Sequence, residues 1–155
     1  MQDTSVLEKT EQREIVSFRV ADQDFCIDIG HVREIRGWSE TTPLPHTPEY
    51  VKGLVNLRGN VIPVIDLAHR LGLGHTDPGE RHVIVITVCE ERTAGLLVEA
   101  VSDIVTVDCA EMKPPPSLTS SAAREVVEGV FVIRESLVRM IDLARVLPSE
   151  AEVAE

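Results

Sequence analysis

The sequence predicts an all-β protein built from two small, packed five-stranded barrels with a few short helices. Apolar residues make up 43% of the 155-residue chain and aromatic residues only 3%, so Val, Ile and Leu supply the core. Such β-branched residues favour strands. Runs of alternating apolar and polar residues are separated by short turn-like segments. The second half of the chain also repeats the order of the first, which indicates two copies of one β-unit.

Two stretches have the pattern of β-hairpins. Residues 16–29, VSFRVADQDFCIDI, form two alternating runs around an Asp-rich turn at 21–24. Residues 83–101, VIVITVCEERTAGLLVEAV, repeat this design with a turn at 90–92. Each predicted copy therefore begins with a hairpin.

The internal repeat continues after each hairpin. Residues 31–35 align with 100–104 and share a valine, an acidic residue and an isoleucine. Residues 53–71 align with 129–147 without a gap. The matched positions there include Gly53 with Gly129, Arg58 with Arg134, and the Ile-Asp-Leu-Ala runs at 65–68 and 141–144. Closing about five short strands removes exposed edges, so we expect a first barrel over about 16–74 and a second over about 81–148.

Short helices and flexible ends complete the prediction. Asp66 and Asp142 each precede a short apolar segment, 67–71 and 143–147, which they are expected to N-cap. Ser120 or Ser121 is expected to begin another helix that ends at Gly129. The polar residues 1–13 and the acidic residues 149–155 are expected to be flexible tails.

The composition excludes several functions. A formal charge of −11 disfavours nucleic acid, and no apolar run approaches the ~20 residues that span a bilayer. Without a basic, apolar leader, the chain is expected to be soluble and cytosolic. Three widely spaced cysteines are expected to be reduced, and the five histidines show no metal-ligand spacing. The G-x-G within residues 70–80 follows a helix rather than a strand, so it is interpreted as a flexible linker between the copies rather than a phosphate site.

Neither a nucleophile with a base nor a cofactor cradle is visible, so we expect no enzymatic activity and no cofactor. Binding to other proteins is the function that remains. Three blocks carry a more specific indication: VREIRG at 32–37, PLPHTPEYVKGLVNLRGNVIPVIDL at 43–67, and GLLVEAVSDIV at 95–105. Together they resemble the CheW family of bacterial chemotaxis coupling proteins, over residues 14–148.

The resemblance implies two SH3-like barrels and an adaptor role in signal transduction. Proteins of this family join the cytoplasmic tip of a methyl-accepting chemoreceptor to the regulatory domain of the histidine kinase CheA. The resemblance also suggests self-association in array rings. Alternatives are an adaptor of a non-flagellar chemosensory pathway and a competitor that binds the kinase alone. Direct membrane insertion is not expected.

The resemblance also assigns candidate residues. Arg58, with Asn56, Leu57 and Gly59, falls on the N-L-R-G block, which is associated with receptor and kinase coupling. Val32 and Glu34 fall on the V-x-E-I block. An arginine beside Gly59 and Asn60 is expected to be exposed, and its guanidinium suits a carboxylate, for which Glu34 is the candidate; the alternative is a solvated surface pair.

Other residues are assigned structural roles, and for two apolar sets the sequence does not decide between a partner contact and the core. Gly53, like Gly59, is expected to allow backbone conformations closed to other residues, and Asp66 and Asp142 are interpreted as caps rather than catalytic acids. For an apolar kinase contact two sets are open, either of which is also compatible with plain core. They are Leu44, Val51, Leu54 and Val55, or Leu96, Val98, Val101 and Ile104.

Overall fold

A computed structural model describes residues 11–115 and 121–149, and within them the chain forms ten strands in two five-stranded sheets with a few short helices. The prediction of an all-β fold is confirmed. The strands are β1 (Gln12–Val20), β2 (Gln23–Asp28), β3 (Val32–Gly37), β4 (Val51–Leu57), β5 (Asn60–Asp66), β6 (Val83–Cys89), β7 (Arg92–Val98), β8 (Ala100–Asp108), β9 (Val127–Ile133) and β10 (Ser136–Ile141). The α-helices are α1 (Leu67–Arg70), α2 (Ser121–Val126) and α3 (Leu143–Val146), and two 3-10 helices cover Ile29–His31 and Cys109–Glu111.

Four hairpins are closed by two-residue turns in which both residues have positive φ. The turns are Ala21–Asp22, Arg58–Gly59, Glu90–Glu91 and Arg134–Glu135. This backbone shape matches the right-handed twist of the flanking strands. The two hairpins predicted at the start of each copy are β1–β2 and β6–β7, and their turns lie within the predicted segments.

The strand order differs from the predicted division of the chain. One sheet has the order β8-β1-β2-β10-β9, which we call the terminal barrel, and the other has the order β3-β6-β7-β5-β4, which we call the central barrel. Residues 16–74 and 81–148 therefore do not form one barrel each. Each barrel takes the first hairpin of one copy and the last three strands of the other, because β2 pairs in parallel with β10 and β5 with β7.

Each sheet is closed by one bridge beside a glycine. Thr42, which follows β3, exchanges two backbone hydrogen bonds with Leu54 on β4, and Lys113 does the same with Val130 on β9. A Cβ on Gly53 would lie 2.5 Å from the Thr42 carbonyl oxygen, and one on Gly129 would lie 2.7 Å from that of Lys113. Gly53 also has a φ of +151°. It therefore lies at an irregularity within β4 rather than in a turn, and permits close backbone approach.

The largest core cluster lies between the barrels and joins residues of both. Phe18 and Phe25 come from the terminal barrel, and Ile65, Val85 and Leu96 come from the central barrel. Two smaller clusters lie within the central barrel, around Val64, and within the terminal barrel, around Phe131. Because the shared cluster contains completely buried side chains, the two barrels are packed as one structural unit.

The short helices connect the barrels. Asp66 accepts from the backbone N–H of His69 and caps α1, and Asp142 accepts from the N–H of Ala144 and caps α3. Arg92 on β7 donates to the carbonyl oxygens of Ala144, within α3, and of Leu147, directly after α3.

Some predicted boundaries change. Helix α2 ends at Val126 rather than at Gly129, because β9 starts immediately after it. Strand β1 starts at Gln12, ahead of the boundary expected at residue 14. The predicted cap Ser120 and most of both predicted tails lie outside the described residues.

In the described part of the chain, no helix has the length and apolar character needed to cross a bilayer. Cys26, Cys89 and Cys109 are free; the first two are buried and the third is half-buried. Desolvation raises the pKa of the Cys26 thiol to about 12.

Candidate functional site

The turn between β4 and β5 presents Arg58 at the tip of the central barrel. Arg58 has a φ of +52° and Gly59 a φ of +86°, and the Gly59 N–H donates to the Asn56 Oδ1 at 2.9 Å. The arginine side chain is 70% exposed. Asn56 thus fixes the turn, and the turn holds Arg58 away from the core.

Glu34 on β3 meets this arginine across the barrel seam. Arg58 Nη2 donates to Glu34 Oε1, and Arg36 Nη1 donates to Glu34 Oε2 at 3.3 Å. Strands β3 and β4 are the two ends of the central sheet order, so the Arg58–Glu34 pair spans the line where the barrel closes. The structure therefore brings together the two charged residues that were expected to interact.

The ion pair shifts the protonation equilibrium of Glu34. The hydrogen bond from Arg58 is the main cause that holds the pKa of the Glu34 carboxyl below its usual value, with a smaller contribution from Arg36. Because Arg58 is so exposed, solvent screens the pair and its contribution to folding is small. Its main effect is to fix the orientation of a guanidinium that keeps other donors free for solvent or a partner.

Two exposed apolar residues lie close to the pair along the strands, and sequence reasoning missed them. Ile35 is 48% exposed and Val61 is 59% exposed. Val61 is the cross-strand neighbour of Asn56, and it borders a groove of about 250 Å³ whose far side is formed by β7, Leu147 and Pro148. The strand pattern contained a signal for both, since each is an apolar residue at an outward position. We call Glu34, Ile35, Arg58 and Val61 the central tip.

The other predicted residues have more ordinary surroundings. Leu57 is buried in the core of the central barrel, since it lies on the inward face of β4, one residue from exposed Asn56. Val32 is half-buried against the cluster between the barrels. Neither side chain lies at the exposed tip, although Leu57 directly precedes Arg58 and Val32 lies two residues before Glu34.

The two apolar sets left open by the sequence divide by burial. Val51, Val55, Leu96 and Val98 are buried, and Leu44, Leu54 and Val101 are half-buried. Ile104, at 53%, is the exposed member of the sets. Most of these residues therefore serve the core, and Ile104 remains available at the surface.

The terminal barrel carries a second ion pair at the matching position, which the repeat indicated without our predicting it. Arg134, with a φ of +52°, lies in the β9–β10 turn, and its Nη1 donates to Asp103 Oδ2 on β8 at 2.8 Å. Strands β8 and β9 are the two ends of the terminal sheet order, so this pair also spans a seam. Exposed apolar residues again lie nearby: Ile104, Val132 and Leu137.

The His, Cys, Asp and Glu residues and the glycine-containing segment at 70–80 were also singled out by the sequence. Within 11–115 and 121–149, no group of three or more His, Cys, Asp and Glu could hold a metal ion. The segment expected to be a flexible linker is held in place, because the N–H and hydroxyl of Thr76 donate to the Asp66 carboxylate, both at 2.7 Å. It also connects α1 to β6 within the central barrel rather than joining one barrel to the other.

Known proteins match this chain in sequence over most of its length. A family model described as the CheW-like domain matches residues 14–151. A chemotaxis protein CheW of Rhizobium meliloti is 46% identical over 142 residues, which cover 92% of each chain. A chemotaxis protein CheW of Klebsiella aerogenes is 30% identical and is covered to 86% of its length by 92% of this chain.

A solved structure shows the same architecture. The crystal structure of scaffolding protein TtCheW from Thermoanaerobacter tengcongensis superimposes with a TM-score of 0.79 at 32% sequence identity, and the match covers 92% of both chains. The similarity therefore extends over both barrels.

Proposed function

This chain belongs to the CheW-like family of chemotaxis scaffold proteins, and on that premise we propose that it is a non-catalytic adaptor that couples a chemoreceptor to a histidine kinase. The proposed partners are the cytoplasmic tip of a methyl-accepting chemoreceptor and the regulatory domain of CheA. The protein would act in the cytoplasm and reach the membrane through its receptor partner. Self-association in array rings belongs to the same proposal.

The observation that carries the proposal is the central tip. An arginine in the left-handed region, 70% exposed, is held by a glutamate across the barrel seam. The positive φ of Arg58 is the geometry that a two-residue hairpin turn requires, and it places the side chain at the end of the barrel. The turn and the Glu34 contact together hold the exposed guanidinium where a partner can reach it.

The apolar surroundings of Arg58 suit a partner interface. Ile35 is 48% exposed and Val61 is 59% exposed, and together with an arginine they form the mixture typical of protein–protein contacts. A partner carboxylate can bind the free donors of Arg58 or replace Glu34, so docking requires no change of the barrel. The net charge of −11 makes a phosphate backbone an unfavourable alternative partner.

The test is a three-component reconstitution of this protein, a receptor cytoplasmic fragment and CheA. Kinase phosphorylation from ATP and pairwise affinities are measured for wild type, Arg58→Glu, and the exchanged pair Glu34→Arg with Arg58→Glu. We expect Arg58→Glu to lower receptor-dependent kinase activation by about tenfold or more, which corresponds to about 1.4 kcal/mol. The exchanged pair is expected to restore the ion pair without restoring activation, because the presented charge is reversed.

The matched control is Arg134→Glu, which breaks the equivalent ion pair of the terminal barrel. Circular dichroism and thermal unfolding must show that every variant is folded. Activation that survives Arg58→Glu would remove the central tip from the coupling surface. Wild-type protein that binds CheA but never the receptor would overturn the coupling proposal in favour of a kinase-only competitor.

A further inference from the structure

The seam of the terminal barrel is open along a groove of about 380 Å³. Its apolar walls are the half-buried Val105 and Ile133 and the buried Val107 and Phe131, contributed by β8 and β9. Glu111 and Lys113 lie at its rim and place one charge of each sign there. The groove therefore lies between the two edge strands of the terminal sheet, whereas the central tip is on the other barrel.

The central barrel shows what fills the equivalent seam. Gly37, the last residue of β3, pairs with Val83, and the N–H of the next residue, Trp38, donates to the His82 carbonyl oxygen at 3.0 Å. In the terminal barrel Val107 on β8 pairs with Arg13 on β1. The internal repeat places Trp38 on Val107 and His82 on Arg13, so the two positions correspond in sequence and in register.

The side chains at these positions have different sizes. The Trp38 indole packs against the core cluster of the central barrel, which includes Val55 and Leu57. The matching cluster of the terminal barrel contains Val107 and Phe131. Phe131 is larger than its counterpart Val55 and takes part of the space, but a valine replaces the indole and the groove remains.

The backbone around the groove can also accept a ligand. Among the described residues, β8 pairs only with β1 and β9 only with β10, apart from the bridge at Lys113 and Val130. Strands with a free edge can add an extended peptide through main-chain hydrogen bonds, while a pocket between them selects a side chain. The seam offers both features.

We propose that this groove binds an extended segment of a partner protein and receives one aromatic side chain in the space that Trp38 fills in the central barrel. Charged residues on either side of that aromatic side chain would face Glu111 and Lys113. This site goes beyond the coupling role of the central tip, because it lies on the other barrel and uses no residue of the Arg58 pair.

The probe is a synthetic peptide that copies residues 32–42 of this chain, VREIRGWSETT, since this segment lines the equivalent seam. It carries Arg36 and Glu40 two residues to either side of Trp38. Binding to the full-length protein is measured by calorimetry, and the site is located by amide shifts in ¹H–¹⁵N NMR spectra. We expect shifts at β8 and β9, and about tenfold weaker binding when the peptide tryptophan is alanine.

Two variants test the pocket. Val107→Trp is expected to fill the groove from within and weaken peptide binding by about tenfold or more. Val105→Thr keeps the shape of the wall while adding a hydroxyl, and is expected to weaken binding by about threefold. This second variant tests the pocket even if Val107→Trp does not fold. The matched control Ile104→Trp adds the same indole to the exposed face of β8 and is expected to leave binding unchanged.

Several outcomes would overturn the proposal. They are peptide shifts confined to the central tip, equal binding of the alanine peptide, or Val107→Trp that folds and still binds. If the peptide binds only after residues 1–10 are deleted, the occupant is this chain's own N-terminal segment and the proposed partner is wrong. A dimer that is lost in Val107→Trp would assign the groove to a second copy and would likewise contradict the proposal.

Discussion

Each barrel carries an arginine–carboxylate ion pair across its own seam, but the surfaces around the two pairs differ. At the central tip Asn56 accepts from the Gly59 N–H and fixes the turn. The repeat places Val132 and Glu135 at these positions in the terminal barrel, and Val132 is 61% exposed. Both turns present an arginine, but the central turn has a polar residue, Asn56, where the terminal turn has the apolar Val132.

The comparison distinguishes residues that close each barrel, which are shared, from residues at its surface or at the seam opening, which differ. The glycine beside each bridge and the arginine that reaches across each seam occur in both barrels. The residues that differ, Asn56 against Val132 and Trp38 against Val107, lie on the outside or at the opening of the seam. We infer that the shared glycine and arginine are required to close each barrel. The surface residues are not required for closure, so the two barrels can bind different partners.

The largest expected effect concerns closure. Gly53→Ala is expected to cost about 4 kcal/mol of unfolding free energy, since strain at positive φ adds to the contact with the Thr42 carbonyl. Gly129→Ala has the contact without the positive φ, and is expected to cost about 2 kcal/mol. Urea denaturation measures both, and an equal or larger loss at Gly129 would contradict this account.

Truncating the side chains that fill the two seams is expected to have the next largest effect on the free energy of unfolding. Trp38→Ala is expected to destabilise the protein by about 3 kcal/mol, at the low end for tryptophan because the indole is only half-buried. Val107→Ala removes two methyl groups and is expected to cost about 1.5 kcal/mol. If denaturation shows similar losses for the two, Trp38 does not fill the seam in the manner described.

The turn hydrogen bond has a smaller effect. Asn56→Ala is expected to cost about 1 kcal/mol, because the Gly59 N–H loses its acceptor. The equivalent change Val132→Ala removes an exposed side chain and is expected to stay within about 0.5 kcal/mol of wild type. Thermal unfolding of both variants compares the tips directly, and a larger loss at Val132 would reverse the comparison.

The smallest effect is on protonation. Glu34 and Asp103 both have lowered pKa values, but the main cause is the Arg58 hydrogen bond for Glu34 and the backbone N–H of Ile104 for Asp103. A lowered folded pKa gives stabilisation that is present above the unfolded pKa and is lost as the pH falls through the folded value. Carboxyl NMR titrations should therefore show a larger pKa rise at Glu34 in Arg58→Ala than at Asp103 in Arg134→Ala, and the opposite order would count against these assignments.

Much of the fold follows from sequence because it is local. Alternation and turn residues located the hairpins, and the Asp-Leu-Ala segments located the capped helices α1 and α3. The pairing of strands is not local, since both copies have the same pattern and β2 can pair equally well with its own copy or with β10. The exchange of hairpins therefore could not be predicted from an internal repeat alone.

The same limit applies to the candidate site. The family resemblance, together with the preference of an exposed guanidinium for a carboxylate, predicted that Arg58 and Glu34 would meet. Treating Asn56, Leu57, Arg58 and Gly59 as one motif concealed the alternation that buries Leu57. Gly53 has its structural reason in Thr42, a residue that no local pattern connects to it.

The exchange of hairpins also affects how the protein folds during synthesis. All five strands of the central barrel have been made once Val98 leaves the ribosome, so that barrel can close early. Hairpin β1–β2 is synthesised first, yet its partner β10 lies far downstream, as the contact of Cys26 with Met140 across 114 residues shows. Contacts so distant in sequence form slowly. The first hairpin to emerge therefore waits for β8 and then for β10, and it must stay unaggregated while the rest of the chain is translated.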